Sequence, residues 1–179
     1  MVRAVRLATV GDVPGIGALM RASATELFPL FYSEQQAASA AIHLTEPDLA
    51  LIEDGTYFVH EAGGEIVACG GWSRRNKLHA GSGARSDDDR VLDPATEPAR
   101  VRAMFVRHDW TRRGLAKAIL DACVQAARDE GFRSLALMAT LPGVPLYRAF
   151  GFSETGKVML PLPDGVRLEG VAMTLDLVS

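Results

Sequence analysis

Cysteine is scarce in this chain, and long apolar runs are missing from it. The two cysteines, Cys69 and Cys123, stand far apart in apolar surroundings, and neither takes part in a metal-ligand spacing. Free buried thiols are typical of a reducing compartment rather than of a disulfide-stabilised secreted domain. The N-terminus lacks an apolar core of signal-peptide length, and no stretch reaches the roughly 18 apolar residues of a membrane span. We therefore expect a soluble cytoplasmic protein with no metal and no membrane partner.

An excess of basic residues is also missing. The chain has 19 lysines and arginines against 22 aspartates and glutamates, which gives a net charge of −3. General nucleic-acid binding requires a net basic face, so we expect no nucleic-acid partner. The 179 residues are 48% hydrophobic, which is enough for a substantial core and suits a single domain over residues 1–179.

Hydrophobic periodicity predicts a mixture of strands and helices, with a hairpin near each end of the chain. Asp12 is predicted to cap the first helix and Ser33 the second, and Gly131 is predicted to end the third. A polar stretch, residues 74–98, is predicted as the one long loop. In chain order the predicted elements are a strand at 2–8, a helix after residue 12, a helix at 33–44, a hairpin over 56–73, a strand near 100–107, a helix at about 113–129, a strand at 133–140, a short helix at 145–150, and strands at about 153–161 and 166–177. This order indicates an α/β or α+β fold with a largely antiparallel sheet.

The start of the helix at 113–129 has the composition of an anion site. Arg112 and Arg113 precede Gly114, Leu115 and Ala116. The first N–H groups of a helix lack intrahelical partners and lie at the positive end of its dipole, and small residues let a bulky anion approach them. We interpret this turn as a phosphate-binding site. From these residues alone, the alternative is that the glycine eases the turn and the arginines are solvated.

A second motif follows some thirty residues downstream. It reads "YRAFGF" over 147–152, and the first motif reads "TRRGLA" over 111–116. In this order and spacing, the two resemble the signature of the GNAT superfamily of acyl-CoA N-acetyltransferases, specifically over about 99–155 and more loosely towards the N-terminus. The sequence departs from that signature at Thr111, where the family has Gln or Arg. It departs again at Thr140 and Gly143, where the family often has Asn-x-x-Ala.

The resemblance implies a GNAT-like α/β (α+β) fold, with helices on both faces of a mixed, largely antiparallel sheet. It implies an enzyme that uses acetyl-CoA as co-substrate to acetylate a primary amine, either a small molecule or a peptide. Tyr147 would be the general acid that protonates the departing sulfur, unless its ring only packs in the core. An N–H near Phe105 or Val106 would polarise the acetyl carbonyl, and the Thr140 hydroxyl would replace the family Asn. The cofactor-binding residues implied in this way are Met104, Phe105, Val106, Arg112, Arg113, Gly114, Leu115, Ala116 and Thr140.

The general base stays open at this point. Glu61, His79 and His108 could each accept the amine proton, although a solvated surface role suits each of them at least as well. His60 is next to Glu61 in a predicted strand, so the two side chains face opposite sides of the sheet and cannot both serve.

The acceptor site is equally open. The resemblance assigns it to residues 24–32 and to the long loop. Phe28, Phe31 and Tyr32 could line a pocket there, although aromatic residues between helices more often belong to a core. Trp72 could form a wall of the slot that the resemblance implies for the thioester. The acidic run over 86–90 could attract an amine or simply be solvated.

Parts of the sequence suggest two other functions and one protein partner. A dinucleotide-binding domain fails on spacing, because Gly15 and Gly17 are not followed by a third glycine at Met20. A non-catalytic acyl-CoA-binding sensor stays open, since a fold does not guarantee an activity. A homodimer also stays open, because the last strand can pair across a dimer edge or lie inside the sheet.

Overall fold

Seven strands form one sheet in the computed structural model, which describes residues 4–76 and 90–178. The strands are β1 (Arg6–Leu7), β2 (Tyr57–Ala62), β3 (Glu65–Ser73), β4 (Ala99–Val106), β5 (Ser134–Thr140), β6 (Ser153–Pro161) and β7 (Arg167–Asp176). Their order across the sheet is β1-β2-β3-β4-β5-β7-β6, and every neighbouring pair is antiparallel except β4 and β5. The predicted mixed, largely antiparallel sheet is therefore confirmed. Since β7 lies between two strands, it is not an edge that could pair with a second chain.

Helices cover both faces of this sheet, as predicted. They are α1 (Val13–Leu27), α2 (Glu34–His43), α3 (Leu49–Asp54), α4 (Leu115–Asp129) and α5 (Val144–Phe150). One core packs α4 against β3, β4 and β5, and a second core packs α1 and α3 against the opposite face. A third cluster joins α1 and α2 to β6 and β7. Among the described residues, no helix combines the length and the apolar character needed to cross a membrane.

Local sequence signals explain most helix ends. Ser33 accepts the Gln36 backbone N–H at 3.1 Å and Gly131 adopts φ +92°, so the predicted cap of α2 and the predicted end of α4 are confirmed. Asp12 stands at the predicted start of α1 but does not cap it. Its carboxylate accepts the Thr9 N–H at 2.8 Å instead, and thereby caps the preceding 3-10 turn. The short helix α3 was not predicted.

The sheet splits between β4 and β5, which pair only at Ala99 with Leu135 and at Arg100 with Ala136. On its other side β4 carries a bulge, because three steps along β4 oppose two steps along β3. Ala103, with a left-handed φ of +59°, is the residue that accommodates it. The split and the bulge lie side by side in β4, and together they shape the gap described next.

Candidate active site

A cavity of about 800 Å³ lies where β4 and β5 separate. Its walls come from α1 and the turn after it, from β4, from the start of α4, and from the segment between β5 and α5. Nine of the ten residues that the sequence predicts for the site line it: Met104, Phe105, Val106, Arg112, Gly114, Leu115, Ala116, Thr140 and Tyr147. Arg113 is the exception among the ten. The structure thus brings both sequence motifs to a single cavity.

The turn into α4 presents backbone N–H groups and a cation to this cavity. The helix begins at Leu115, and its first helical bond runs from the Ala118 N–H to the Gly114 carbonyl at 3.0 Å. The N–H groups of residues 115–117 therefore lack intrahelical partners. Gly114 adopts φ +78°, and a Cβ there would meet nothing within 4 Å, so backbone conformation rather than packing requires the glycine. Arg112 is also left-handed, at φ +62°.

The two motif arginines lie in different surroundings. Arg112 lines the cavity, and within residues 4–76 and 90–178 its guanidinium has no ion-pair partner. The Arg113 guanidinium stacks over the Trp110 ring, 4.4 Å from the ring centroid. Lys117 also lines the cavity, where its ammonium pairs with Asp121 at 2.9 Å. Arg112 is therefore the motif cation that can turn to a bound anion.

Tyr147 combines a packed ring with a hydroxyl that makes no hydrogen bond to the described part of the chain. Its ring meets Phe152 edge to face at 5.7 Å, and a Cβ on Gly143 would lie 3.1 Å from its Cε2 atom. Burial raises the pKa of Tyr147 above the ordinary value of 10.0. The phenol therefore stays protonated at neutral pH, as a proton donor must.

Hydrogen bonds along β4 distinguish the backbone groups that face the gap. The Arg107 N–H donates to the Val67 carbonyl of β3 at 2.9 Å. Successive residues of a strand direct their N–H and C=O groups to opposite sides, so those of Val106 face away from β3. The Ser23 hydroxyl, which also lines the cavity, donates to the Val106 carbonyl at 3.2 Å. Of the two predicted N–H groups, that of Val106 rather than that of Phe105 is directed to the gap.

Two buried interactions that the sequence did not predict hold the bulge of β4. The Tyr57 hydroxyl donates to the Ala103 carbonyl at 3.0 Å and lies 3.1 Å from the Cys69 sulfur. Next to it, the Arg102 Nε pairs with the Asp48 carboxylate at 2.7 Å, and both side chains are almost fully buried. The sequence signal was the presence of two arginines, Arg100 and Arg102, inside an otherwise apolar strand.

Two of the three candidate bases do not line the cavity, and the third lies outside the described residues. Glu61 pairs with Arg6 at 3.0 Å and does not line the cavity, and neither does His108. His79 and residues 86–89 of the acidic run lie outside the described residues. Along the described part of the chain, no carboxylate or histidine lines the cavity.

Phe28 and Phe31 line the cavity, as predicted for an acceptor pocket. The other two aromatic candidates, Tyr32 and Trp72, do not line it. The Tyr32 hydroxyl donates to the Glu169 carbonyl at 2.7 Å and accepts the Leu141 N–H at 2.8 Å, which fixes the turn after α1. Trp72 is 1% exposed and packs on Phe132 in the core. Its predicted place beside the slot is therefore wrong, because the end of β3 is covered by α4.

A family model described as the Acetyltransferase (GNAT) family matches residues 20–152 of this chain. That range contains both sequence motifs, and the chain belongs to this family. Human N-acetyltransferase 8 is 33% identical over an alignment of 72 residues that covers 37% of this chain and 32% of the human protein. The chain thus matches about a third of this relative's length.

The fold is similar to that of solved N-acetyltransferases. A GCN5-related N-acetyltransferase from Rhodopseudomonas palustris superposes with a TM-score of 0.71 at 18% identity, over 97% of this chain and 94% of that one. The PaiA N-acetyltransferase from Thermoplasma acidophilum, solved in complex with coenzyme A, superposes with a TM-score of 0.67 at 11% identity, over 98% and 99% of the two chains. These likenesses confirm the predicted fold class.

Proposed function

We propose that this chain is an acetyl-CoA-dependent N-acetyltransferase that acts on a primary amine as a single domain over residues 1–179. One observation carries the proposal: residues from β4, α4, β5 and α5 that the family motifs single out line a single cavity at the split of the sheet. The family match supports the same activity. Two free buried cysteines support a reducing, cytoplasmic setting.

The pyrophosphate of acetyl-CoA binds at the start of α4. The unpartnered N–H groups of residues 115–117 and the Arg112 guanidinium supply donors and positive charge. Pantetheine then runs beside β4 at Met104, Phe105 and Val106. Here the strand has no neighbour on this side among the described residues, so its backbone can pair with the amides of pantetheine. The Thr140 hydroxyl, at the end of β5, takes the place of the family's asparagine.

Acetyl transfer is a direct attack without a covalent enzyme intermediate. The neutral amine nitrogen attacks the thioester carbonyl carbon, and the Val106 N–H stabilises the negative charge that develops on the oxygen. As the C–N bond is completed the C–S bond breaks, and the sulfur takes the phenolic proton of Tyr147. The proton lost by the amine passes to water, since none of the described lining residues is a carboxylate or histidine, and water reprotonates Tyr147.

The replacement Tyr147→Phe tests the catalytic role. It removes the proton donor but keeps the ring that packs on Phe152, so we expect kcat to fall about 10²–10⁴-fold while the Kd for acetyl-CoA stays within about twofold. Thiol release with the most reactive amine of an acceptor screen measures the first quantity and calorimetry the second. A kcat within twofold of the wild type would contradict the assignment.

A non-catalytic acyl-CoA sensor is the alternative. Two observations favour it: the described cavity lining offers no general base, and Thr140 stands where the family often has asparagine. A sensor predicts acetyl-CoA binding with no thiol release for any amine. The acetyltransferase predicts thiol release that depends on the amine and is lost with Tyr147.

A further inference from the structure

The half of the cavity that faces α1 is mostly apolar, and its polar side chains, Ser23 and Arg102, are engaged with the Val106 carbonyl and with Asp48. Once the start of α4 and the segment from β5 to α5 are assigned to coenzyme A, this half is what remains for the acceptor, and we call it the acceptor half. Its walls come from the end of α1, the turn after it, the end of α2 and strand β6. The side chains concerned are Leu27, Phe28, Leu30, Phe31, Leu44 and Leu160.

The apolar wall is held in place before any acceptor arrives. Phe28 meets Tyr32 edge to face at 5.9 Å, and the Tyr32 hydroxyl is bonded on both sides, to the Glu169 carbonyl and the Leu141 N–H. Phe28 and Leu160 are buried in the same cluster. Phe31 is 46% exposed, so this ring stands at the mouth of the cavity. A preformed wall of this kind selects for shape and apolar area.

The charges around the cavity do not suit an acceptor with several ammonium groups. Its charged lining residues, within the described ranges, are Arg102, Arg112 and Lys117, all of them cations. Arg102 is paired with the buried Asp48 at 2.7 Å, so that carboxylate is engaged. The Ser23 hydroxyl donates to the Val106 carbonyl. Among residues 4–76 and 90–178, no carboxylate lines this half, so a second ammonium group that enters it would lose its water without gaining one of their carboxylates.

We propose that the acceptor is a monoamine whose amine-bearing carbon chain ends in a bulky apolar group, either aryl or branched alkyl, and we infer this on the basis of the proposed function. The apolar group contacts Phe28, Phe31 and Leu160, and the amine lies at the gap beside Val106. Linear polyamines are poor acceptors, because they bring a second charge to an apolar wall.

Three probe amines test this class. Ethylamine and phenethylamine differ by one phenyl group, and putrescine instead carries a second ammonium group. Each is titrated by calorimetry into the protein saturated with CoA, and each is assayed for thiol release with acetyl-CoA. We expect phenethylamine to bind about tenfold or more tighter than ethylamine, with kcat/KM raised by a similar factor. We expect putrescine to be no better than ethylamine.

Two variants at the cavity mouth assign the preference to its wall. Phe31→Ala should lower the ratio of phenethylamine to ethylamine affinity about tenfold. Ile42→Ala is the matched control, because Ile42 is 71% exposed on α2 and does not line the cavity, so its ratio should equal that of the wild type. Phe31→Glu brings a carboxylate to the mouth and should raise putrescine affinity relative to phenethylamine, a change that a merely structural defect would not produce.

The outcomes separate the acceptor class from the activity itself. Tight acetyl-CoA binding with the expected order of amines, and a rise in putrescine affinity relative to phenethylamine in Phe31→Glu, supports the proposal. Tight acetyl-CoA binding with putrescine or ethylamine equal to or better than phenethylamine overturns the acceptor class and leaves the acetyltransferase standing. A wild-type protein that does not bind acetyl-CoA overturns the proposed function, and the acceptor class with it.

Discussion

Arg112 and Arg113 are neighbours in sequence but have different physical roles. Arg112 adopts a left-handed φ of +62°, which is uncommon for a residue with a side chain, and it lines the cavity. Such strain persists where the surrounding structure and the function require it. Arg113 is held over the Trp110 ring at 4.4 Å, a cation–π contact that stabilises the turn itself.

This difference predicts that truncation to alanine weakens CoA binding more at Arg112 than at Arg113. Arg112→Ala removes a cation from the phosphate site, so we expect the Kd for CoA to rise about tenfold, the worth of one charge-assisted hydrogen bond. Arg113→Ala removes a side chain that stacks on Trp110 but does not itself line the cavity, and it should raise the Kd less than about threefold. Calorimetric titration of both variants with CoA measures the two values. Equal losses, or a larger loss for Arg113→Ala, would place the pyrophosphate elsewhere.

At the scale of the elements, β4 carries a bulge beside the point where the sheet opens. Arg102 and Ala103 are consecutive yet both face α1 and α3, since Val101 and Met104 on either side pack towards α4. A regular strand would alternate here. The buried Tyr57 hydroxyl satisfies the Ala103 carbonyl at this point.

Replacing Tyr57 by phenylalanine should therefore destabilise the fold. The change leaves the Ala103 carbonyl with only the weak, long contact from the Cys69 thiol at 3.7 Å, and we expect the free energy of unfolding to fall by about 1–3 kcal/mol. Tyr147→Phe is the matched control: its hydroxyl has no hydrogen bond among the described residues, so its unfolding free energy should change by less than about 0.5 kcal/mol. Denaturant unfolding of the two variants measures both. A Tyr57→Phe protein as stable as the control would show that the hydroxyl does not hold the bulge.

The elements that could be predicted are those with strong local signals. The apolar stripe of α4, its closing Gly131 and the hairpin turn at Gly63 and Gly64 are all visible in the sequence. The six-residue helix α3 is too short to show a helical period. The split between β4 and β5 could be expected only through the family resemblance, because no local sequence pattern determines which neighbouring strands separate.

Only the part of the candidate site that lies in contiguous motifs could be predicted from the sequence. Tyr147, Gly114 and their neighbours belong to contiguous motifs, whereas the acceptor half is assembled from distant segments. The hydrogen bond that holds its wall, from the Leu141 N–H to the Tyr32 hydroxyl, joins residues 109 positions apart. Trp72 was misplaced because an aromatic residue at a strand end fits a core and a cavity wall equally well until the helix above it is known.

At the scale of the whole molecule, burial of weak acids predicts instability at alkaline pH. Burial raises the pKa of Cys69 from its ordinary 9.0 to about 12, and it also raises the pKa of Cys123 and of all three tyrosines. The folded state therefore favours the protonated forms, and as the pH rises the unfolded chain loses these protons first. The stabilisation is complete below about pH 9 and is lost progressively towards pH 12.

Denaturant unfolding as a function of pH checks this expectation. Each fully buried group should contribute up to about 1.4 kcal/mol per pH unit to the slope above pH 9. Cys123→Ala should make the slope shallower, whatever its effect on stability at neutral pH. Absorbance from the tyrosinates of Tyr57 and Tyr147 should appear together with unfolding. A free energy of unfolding that is constant from about pH 9 to about pH 11 would contradict the account.

The central claim is that the turn into α4 binds the pyrophosphate of acetyl-CoA, and the melting temperature with and without acetyl-CoA tests it most directly. Gly114→Glu, at φ +78°, is compared with Gly64→Glu, at φ +82°; both glycines have open space for a Cβ, so strain and added charge are matched.

Acetyl-CoA at about 100 times its Kd should stabilise the wild type and Gly64→Glu by about 2.7 kcal/mol, which raises Tm by about 5–10 °C. Gly114→Glu should show no shift, because its carboxylate repels the diphosphate and occupies the site. A shift in all three proteins would place the coenzyme elsewhere, and no shift in the wild type would contradict the acetyltransferase assignment.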